Sequence, residues 1–353
     1  MLRKRLNILT LILVLGVLPA KTFSTEKGME NKNILLNNLS INERSESGYL
    51  RISEENQQTT TDEGMPELPV YSTLYMVDPL KDYEFDLIIH DSYIIENVQV
   101  YPFQGEEKDS FVKNESFYLG TQNYPEDNLS TSERMQARNM QLISVSVTPF
   151  SYQPNTNTLE VFTNIEIVVT DSNSNSNRES INMKRSRLFE DLYGHMIVNF
   201  EPSSRDEDYQ EPAILYICGG NSCDNSFVQD LIEWRHQQGY IVYSATESQV
   251  GGNSASTSEI KNYIEDAVET WENPPEMVGL IGDTNGSYSL PCHYQEWGGG
   301  WYGYNGATDF DYTQLNGNDL LSDVLIGRIS AESSSDLSNI ITKTIQYEKA
   351  QYQ

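Results

Sequence analysis

Between residues 170 and 212 the apolar residues of this chain change their period, and that change divides what it can fold into. Before it they come in short runs with a period of two. Residues 71–77, 83–90, 93–101, 141–148 and 159–170 read as β-strands. In the fourth run Ile143, Val145 and Val147 fall on one side, with Ser144, Ser146 and Thr148 on the other. Pro149 ends that run, because proline has no N–H to give to a ladder. Residues 151–158 are dense in turn formers, and no helical stripe intervenes. A β-sandwich over residues 65–170 is predicted.

Beyond the change, apolar runs alternate with stripes of helical period. Residues 213–218 are continuously apolar, as a central parallel strand is. A helix follows from about Asn225, with Phe227, Leu231 and Trp234 on one stripe and Gly239 as its stop. Residues 240–244 form the next strand. Ser256 and Glu259 make a capping box in front of Ile260, Tyr263, Ile264, Ala267, Val268 and Trp271, and Pro274-Pro275 ends that helix. Residues 277–281 and 324–326 read as further buried strands, and 336–353 as a helix. The spacing predicts an α/β unit over 212–353, a parallel sheet covered on both faces. Residues 171–211 read as a linker, with a Ser/Asn tract at its start and Lys184, Arg185 and Arg187 within it.

Composition excludes several functions. Among 353 residues, 52 acidic side chains face 23 basic ones, a formal charge of −29. Nucleic acids and anionic lipid surfaces both require the opposite excess. The acidity either keeps an exported protein soluble or groups carboxylates around a hard cation. Arg3, Lys4 and Arg5 precede an apolar stretch over 6–18 and a small residue at Ala20, which reads as a secretory signal over 1–24. A polar, disordered lead-in over 25–64 is expected to follow. The mature chain is expected to be secreted, with no membrane span.

Three cysteines are too few for a disulfide scaffold. Cys218 and Cys223 can pair in an oxidising compartment. Cys292 stands beside His293, the two residue types of a thiol protease. Neighbouring side chains diverge, however, and Pro291 before them with Gly298-Gly299-Gly300 after them suggests a surface loop. Cys218 ends a buried strand where α/β folds place ligands, but Gly219-Gly220 lacks phosphate-loop spacing. Asp283 lies at the carboxyl end of a strand, and Asp319 and Asp323 in the loop before the next. These three are the candidate metal ligands; capped turns are the plainer alternative. Arg185, Arg187 and Arg205 mark either a processing site or a solvated linker. Trp297, Trp301 and Tyr302 mark either a binding rim or a loop packing its own aromatics.

The segments Val278-Gly279-Leu280-Ile281-Gly282-Asp283, Thr308-Asp309-Phe310-Asp311-Tyr312 and Gly317-Asn318-Asp319 through Ile326-Gly327-Arg328-Ile329-Ser330, closed by residues 343–348, resemble the peptidase domain of gingipain-type cysteine peptidases. Residues 66–70 and the strands up to 169 resemble that family's propeptide. The resemblance implies a secreted endopeptidase made with an inhibitory β-domain, with two α/β subdomains side by side. It implies a structural calcium near Asp283, Asp319 and Asp323, and protein or peptide substrates. In the family the His-Gly motif and the nucleophilic Cys lie in the second subdomain; no His-Gly pair occurs in this sequence. The expected architecture is thus an α+β multidomain chain with an incomplete caspase/gingipain-like α/β part, inactive alone and completed by a separate polypeptide. The alternative is a non-catalytic, calcium-stabilised secreted binding module.

Overall fold

The computed structural model describes residues 34–37, 42–46, 48–53, 58–105, 110–173, 178, 181–252, 254–297, 304–317 and 319–349. The expected signal over 1–24 lies outside them, as do Trp301 and Tyr302. The chain divides into two compact units. The first takes residues up to 74, 80–132 and 144–176; the second takes 75–79, 133–143 and 177–353.

The first unit is built from antiparallel strands. They are β1 (Ile34–Asn37), β2 (Asn42–Glu46), β3 (Tyr49–Ser53), β4 (Gln58–Thr59), β5 (Pro69–Val77), β6 (Lys81–Glu96) and β7 (Leu129–Thr131). The hairpin of β8 (Met135–Ala137) and the start of β9 (Met140–Val147) belongs to the second unit; the rest of β9 with β10 (Phe150–Gln153) and β11 (Thr158–Asn173) completes the first. One sheet runs β1-β11-β10 with β6 also on β11; another runs β4-β5-β9-β7. The period-two reading of β9 holds, since Ile143, Val145 and Val147 are buried while Ser144 and Ser146 are not. The core is aromatic. Phe117, Tyr118, Tyr124, Phe150 and Tyr152 pack with Leu68, Val100, Leu159 and Val161. A short helix α1 (Glu115–Tyr118) carries two of those rings, and the Tyr118 hydroxyl donates to the Val100 carbonyl at 2.7 Å.

Two expectations are corrected here. The lead-in over 25–64 contains β1 to β4, and Ile52 is buried in the core. Its sparse apolar residues are spaced for strands but diluted by polar neighbours. The β-rich reading holds, but a plain sandwich does not account for β6. Ile88 and Ile94 lie on one face of it and Ile89 on the other, and all three are exposed, Ile94 by 60%. Among the described residues no second layer covers that stretch.

In the second unit, β12 (Ala213–Cys218), β13 (Ile241–Thr246), β14 (Met277–Ile281) and β17 (Leu325–Ile329) form the parallel sheet in the order β13-β12-β14-β17. Every residue of β12 is buried. Between β14 and β17 stands an antiparallel pair, β15 (His293–Trp297) with β16 (Tyr304–Thr308). The helices are α2 (Arg187–Tyr193), α3 (Ser226–Gln237), α4 (Glu247–Val250), α5 (Thr257–Thr270) and α6 (Ser334–Glu348). Ile260, Ile264, Ala267 and Val268 of α5 pack with Leu215, Ile217, Val278 and Leu280 on one face. Leu231 of α3 and Leu337 and Ile341 of α6 pack with Ile214, Tyr216 and Ile281 on the other. The capping box forms as its spacing predicts: the Glu259 N–H donates to Ser256 Oγ at 3.3 Å, and the Ser256 N–H to Glu259 Oε2 at 2.8 Å. Among the described residues no helix is long and apolar enough to cross a membrane.

The predicted linker over 171–211 is largely folded. Ser186 caps α2, whose Phe189 is fully buried, and Ile197, Val198 and Tyr209 are also buried. Dense Arg, Asp and Glu hide these spaced apolar residues from a reading by composition.

The two helices on one face are tied at their ends by charge. Arg235 Nη2 donates to Glu348 Oε1 at 2.9 Å, and Trp234 Nε1 donates to Oε2 at 2.7 Å. The Arg235 bonds, and after them Trp234 and Gln238, hold the Glu348 carboxyl below its usual pKa. A carboxylate with a lowered folded pKa stabilises above its unfolded pKa, and that contribution is lost as pH falls through the folded value. Glu348→Gln is therefore expected to melt below the parent at pH 7, with the gap shrinking as pH falls through the acid range. Melting curves of the two proteins at pH 7 and pH 3.5 check this. A gap that stays constant excludes the titration of Glu348 as its source.

Candidate functional site

An open parallel sheet offers its ligand crevice where neighbouring strands connect outward in opposite directions, at their carboxyl ends. Here that point lies between β12 and β14, at Gly219-Gly220 and Gly282-Asp283. The chain closes it with its own residues 287–290. A Cβ on Gly219 would stand 2.3 Å from the Tyr288 carbonyl oxygen, and one on Gly282, whose φ is +149°, only 1.8 Å from it. Glycine is required at both positions by this approach. The Leu290 N–H donates to the Asp283 carbonyl at 2.7 Å, and the Ser287 N–H to that of Glu332 at 3.2 Å.

Arg328 pins the same strap from β17. Its Nε and Nη2 donate to the two carboxylate oxygens of Asp309, each at 2.8 Å. Nη1 donates to the carbonyls of Gly282 and Leu290, both at 3.1 Å, and Nη2 to that of Pro291 at 2.9 Å. Burial works to lower the Arg328 pKa, but the Asp309 bonds outweigh it and the net shift is upward. Tyr312, fully buried, donates its hydroxyl to the Pro291 carbonyl at 2.9 Å. Arg328 and Asp309 both lie in segments that carry the family resemblance, but Asp309 gave no sign of pairing in the sequence.

Cys292 and His293 do not form a dyad. His293 begins β15, and Cys292 stands just before it and is buried, so the pair is not the surface loop expected. The Cys292 thiol, 8% exposed, lies on the side of Tyr294, whose phenol is pushed upward in pKa by its hydrogen bond to that sulfur. The His293 ring lies edge-on to Tyr312 at 4.7 Å, and its buried Nε2 has no partner among the described residues. Cys218 and Cys223 are joined in a disulfide, which leaves Cys292 as the free cysteine.

The three candidate metal ligands are not gathered. Asp283 follows β14 and Asp323 precedes β17. These strands run parallel with Met277 opposite Leu325 and Ile281 opposite Ile329, so the two carboxylates lie at opposite ends of the sheet. At about 3.3 Å per residue they are separated by more than ~15 Å, whereas ligands of one calcium lie about 2.3–2.6 Å from it. Each carboxylate is also committed elsewhere. Asp283 accepts from the Ser330 hydroxyl and from the Thr284 N–H at 2.6 Å, which hold its pKa down. Asp319 accepts from the N–H groups of Gln136 and Leu321, both at 2.8 Å. Asp323, fully buried, accepts from the N–H groups of Arg138 and Asn316 at 2.8 Å and of Leu315 at 3.0 Å. The set does not fit a single calcium ion, and no cluster of His, Cys, Asp or Glu among the described residues does.

Arg187 pairs with Asp206 and Arg205 with Asp208, each at 2.6 Å, and both arginines remain exposed. Arg185 bonds to Glu190 and to the Glu201 carbonyl. The residue the sequence gave no reason to single out is Arg138, at the tip of the β8–β9 hairpin.

The fold thus defines a protein in two parts, an antiparallel β unit followed by a parallel α/β unit covered on both faces. Residues 19–206 match the sequence model of the C25 propeptide, and residues 208–353 that of peptidase family C25. The chain belongs to this family, the gingipain-type cysteine peptidases. It is 25% identical over 341 residues to gingipain R1 of Porphyromonas gingivalis, covering 92% of this chain and 32% of that protein. To a Lys-gingipain of the same organism it is 24% identical over 222 residues, 60% of this chain and 12% of the relative. The solved complex of Porphyromonas gingivalis RgpB pro- and mature domains aligns over 52% of this chain and 100% of that one, at 18% identity and a TM-score of 0.43. The chain thus spans about a third or less of the length of these two curated relatives.

Proposed function

We propose that the chain is the propeptide and first α/β part of an exported gingipain-type cysteine endopeptidase, with the catalytic Cys–His pair supplied by another polypeptide segment. The family's reaction is peptide-bond hydrolysis through a Cys thioester, with His as base and then acid. The observation that carries the reading is the state of the free cysteine. Cys292 is buried, its sulfur is engaged by the Tyr294 phenol, and the buried Nε2 of the neighbouring imidazole has no partner among the described residues. Family membership does not favour the stand-alone binding module. Export is supported by the basic and apolar residues at the amino terminus, and calcium has no part in the reading. Substrates are proteins or peptides by family.

Purified chain incubated with a peptide library and a mild thiol is expected to give no thiol-dependent cleavage. Cleavage that disappears in Cys292→Ala would place the nucleophile in this chain and overturn the proposal.

A further inference from the structure

The tip of the β8–β9 hairpin places an arginine where arginines are rarely found. Arg138 is 0% exposed and its φ is +53°. A guanidinium withdrawn from water persists only where acceptors or anions replace its hydration. Its acceptors all come from the residues that lead into three strands of the parallel sheet. Nη1 donates to the Pro275 carbonyl at 3.0 Å and to the Asp323 carbonyl at 2.9 Å, and Nη2 donates to Gln210 Oε1 at 2.8 Å. Gln210 precedes β12, Pro275 precedes β14 and Asp323 precedes β17.

The surroundings are arranged around the same group. Gln210 Nε2 donates to the Pro274 carbonyl at 2.9 Å, which fixes the direction of its Oε1. The Phe189 ring centre lies 5.1 Å from the guanidinium carbon. Glu276, buried and bonded by the Ser186 hydroxyl, adds a carboxyl group near the cation. The backbone N–H of Arg138 reaches Asp323 Oδ1 at 2.8 Å. Burial lowers the Arg138 pKa to about 10, so the group stays charged at neutral pH.

We infer that Gln210, Pro275, Glu276, Asp323 and Phe189 form a guanidinium receptor at the amino ends of the parallel strands, and that the chain latches its hairpin there by filling the receptor with Arg138. Three acceptors on three strand approaches meet the two Nη groups of the planar fork, while its buried Nε has no partner among the described residues. A compact ammonium cannot reach them all from one position. The receptor therefore selects by chemical class, guanidinium over ammonium. Through it, residues 133–143, which fall within the propeptide match, become part of the α/β unit.

The test uses the full chain carrying Arg138→Ala, which empties the receptor, with ethylguanidinium as probe and ethylammonium at equal ionic strength as control. The variant is expected to melt roughly 5–10 °C below the parent. Ethylguanidinium at tens of millimolar is expected to restore a substantial part of that loss, ethylammonium none, and neither to raise the melting temperature of the parent. Equal effects of the two cations on the folded variant, or no effect of either, overturn the receptor. Should the alanine variant not fold, Arg138→Lys decides. It keeps the charge and loses the fork, so it is expected to melt well below the parent, and a lysine variant that melts with the parent overturns the proposal.

Discussion

Replacing Arg328 by methionine is expected to lower the unfolding free energy by about 3–5 kcal/mol, the loss typical when one partner of a buried ion pair is removed. The substitution keeps much of the volume, so the loss is electrostatic. Asp309, whose side chain is 19% exposed, is left without its counter-charge. The carbonyls of Gly282 and Leu290 lose the Arg328 donor at the same time, and that of Pro291 keeps only the Tyr312 hydroxyl. Arg328→Lys is expected to recover less than half of the loss, because a point charge cannot make the two-pronged contact with Asp309 and also reach the carbonyls. Urea unfolding of the three proteins, with the midpoint shifting at constant slope, measures the effect. A methionine variant within about 1 kcal/mol of the parent would mean that the strap over residues 284–291 holds itself.

Asp323→Asn is expected to cost about 2–4 kcal/mol, although it changes one atom and no shape. Three backbone N–H groups converge on the two carboxylate oxygens. An amide offers one oxygen, so its NH2 must face at least one N–H, donor against donor, in a site with no access to water. Burial raises the Asp323 pKa while the three N–H bonds oppose that rise. Protonation of Asp323 is consequently not what would unfold the protein in acid. The loss in the asparagine variant is expected at pH 7, with exchange protection of the Leu315 and Asn316 amides falling along with global stability. Protection unchanged at those amides would exclude the carboxylate as their anchor.

The parallel sheet was legible because its signals are local. The apolar run of β12, the box at Ser256 and Glu259, and Pro274-Pro275 each declare themselves within a few residues. The linker was misread because Phe189, Tyr193 and Tyr209 are spaced too widely among charges to make a pattern. The metal candidates failed for a different reason. Asp283 and Asp323 share a residue type and a loop setting, and only the parallel register of β14 and β17 reveals that they stand at opposite ends. Cys292 and His293 read as a loop because glycines follow them, yet His293 is paired with Thr308 in the β15–β16 ladder. Arg138 is the plainest case. Nothing in the neighbouring sequence marks it, since every acceptor of its N–H groups lies at least 72 residues away.

That distance sets a timetable. The Arg138 N–H is bonded to a residue 185 positions further along the chain. At a synthesis rate of about 5–20 residues per second, the hairpin leaves the ribosome roughly 10–40 s before Asp323 exists. Throughout that interval the Arg138 N–H and its Nη1 lack their partner Asp323. The α/β unit cannot close during translation in simple order from front to back. Its completion is a late, long-range event of the kind that slows folding, and it gives any factor that holds unfinished chains ample time to engage this one.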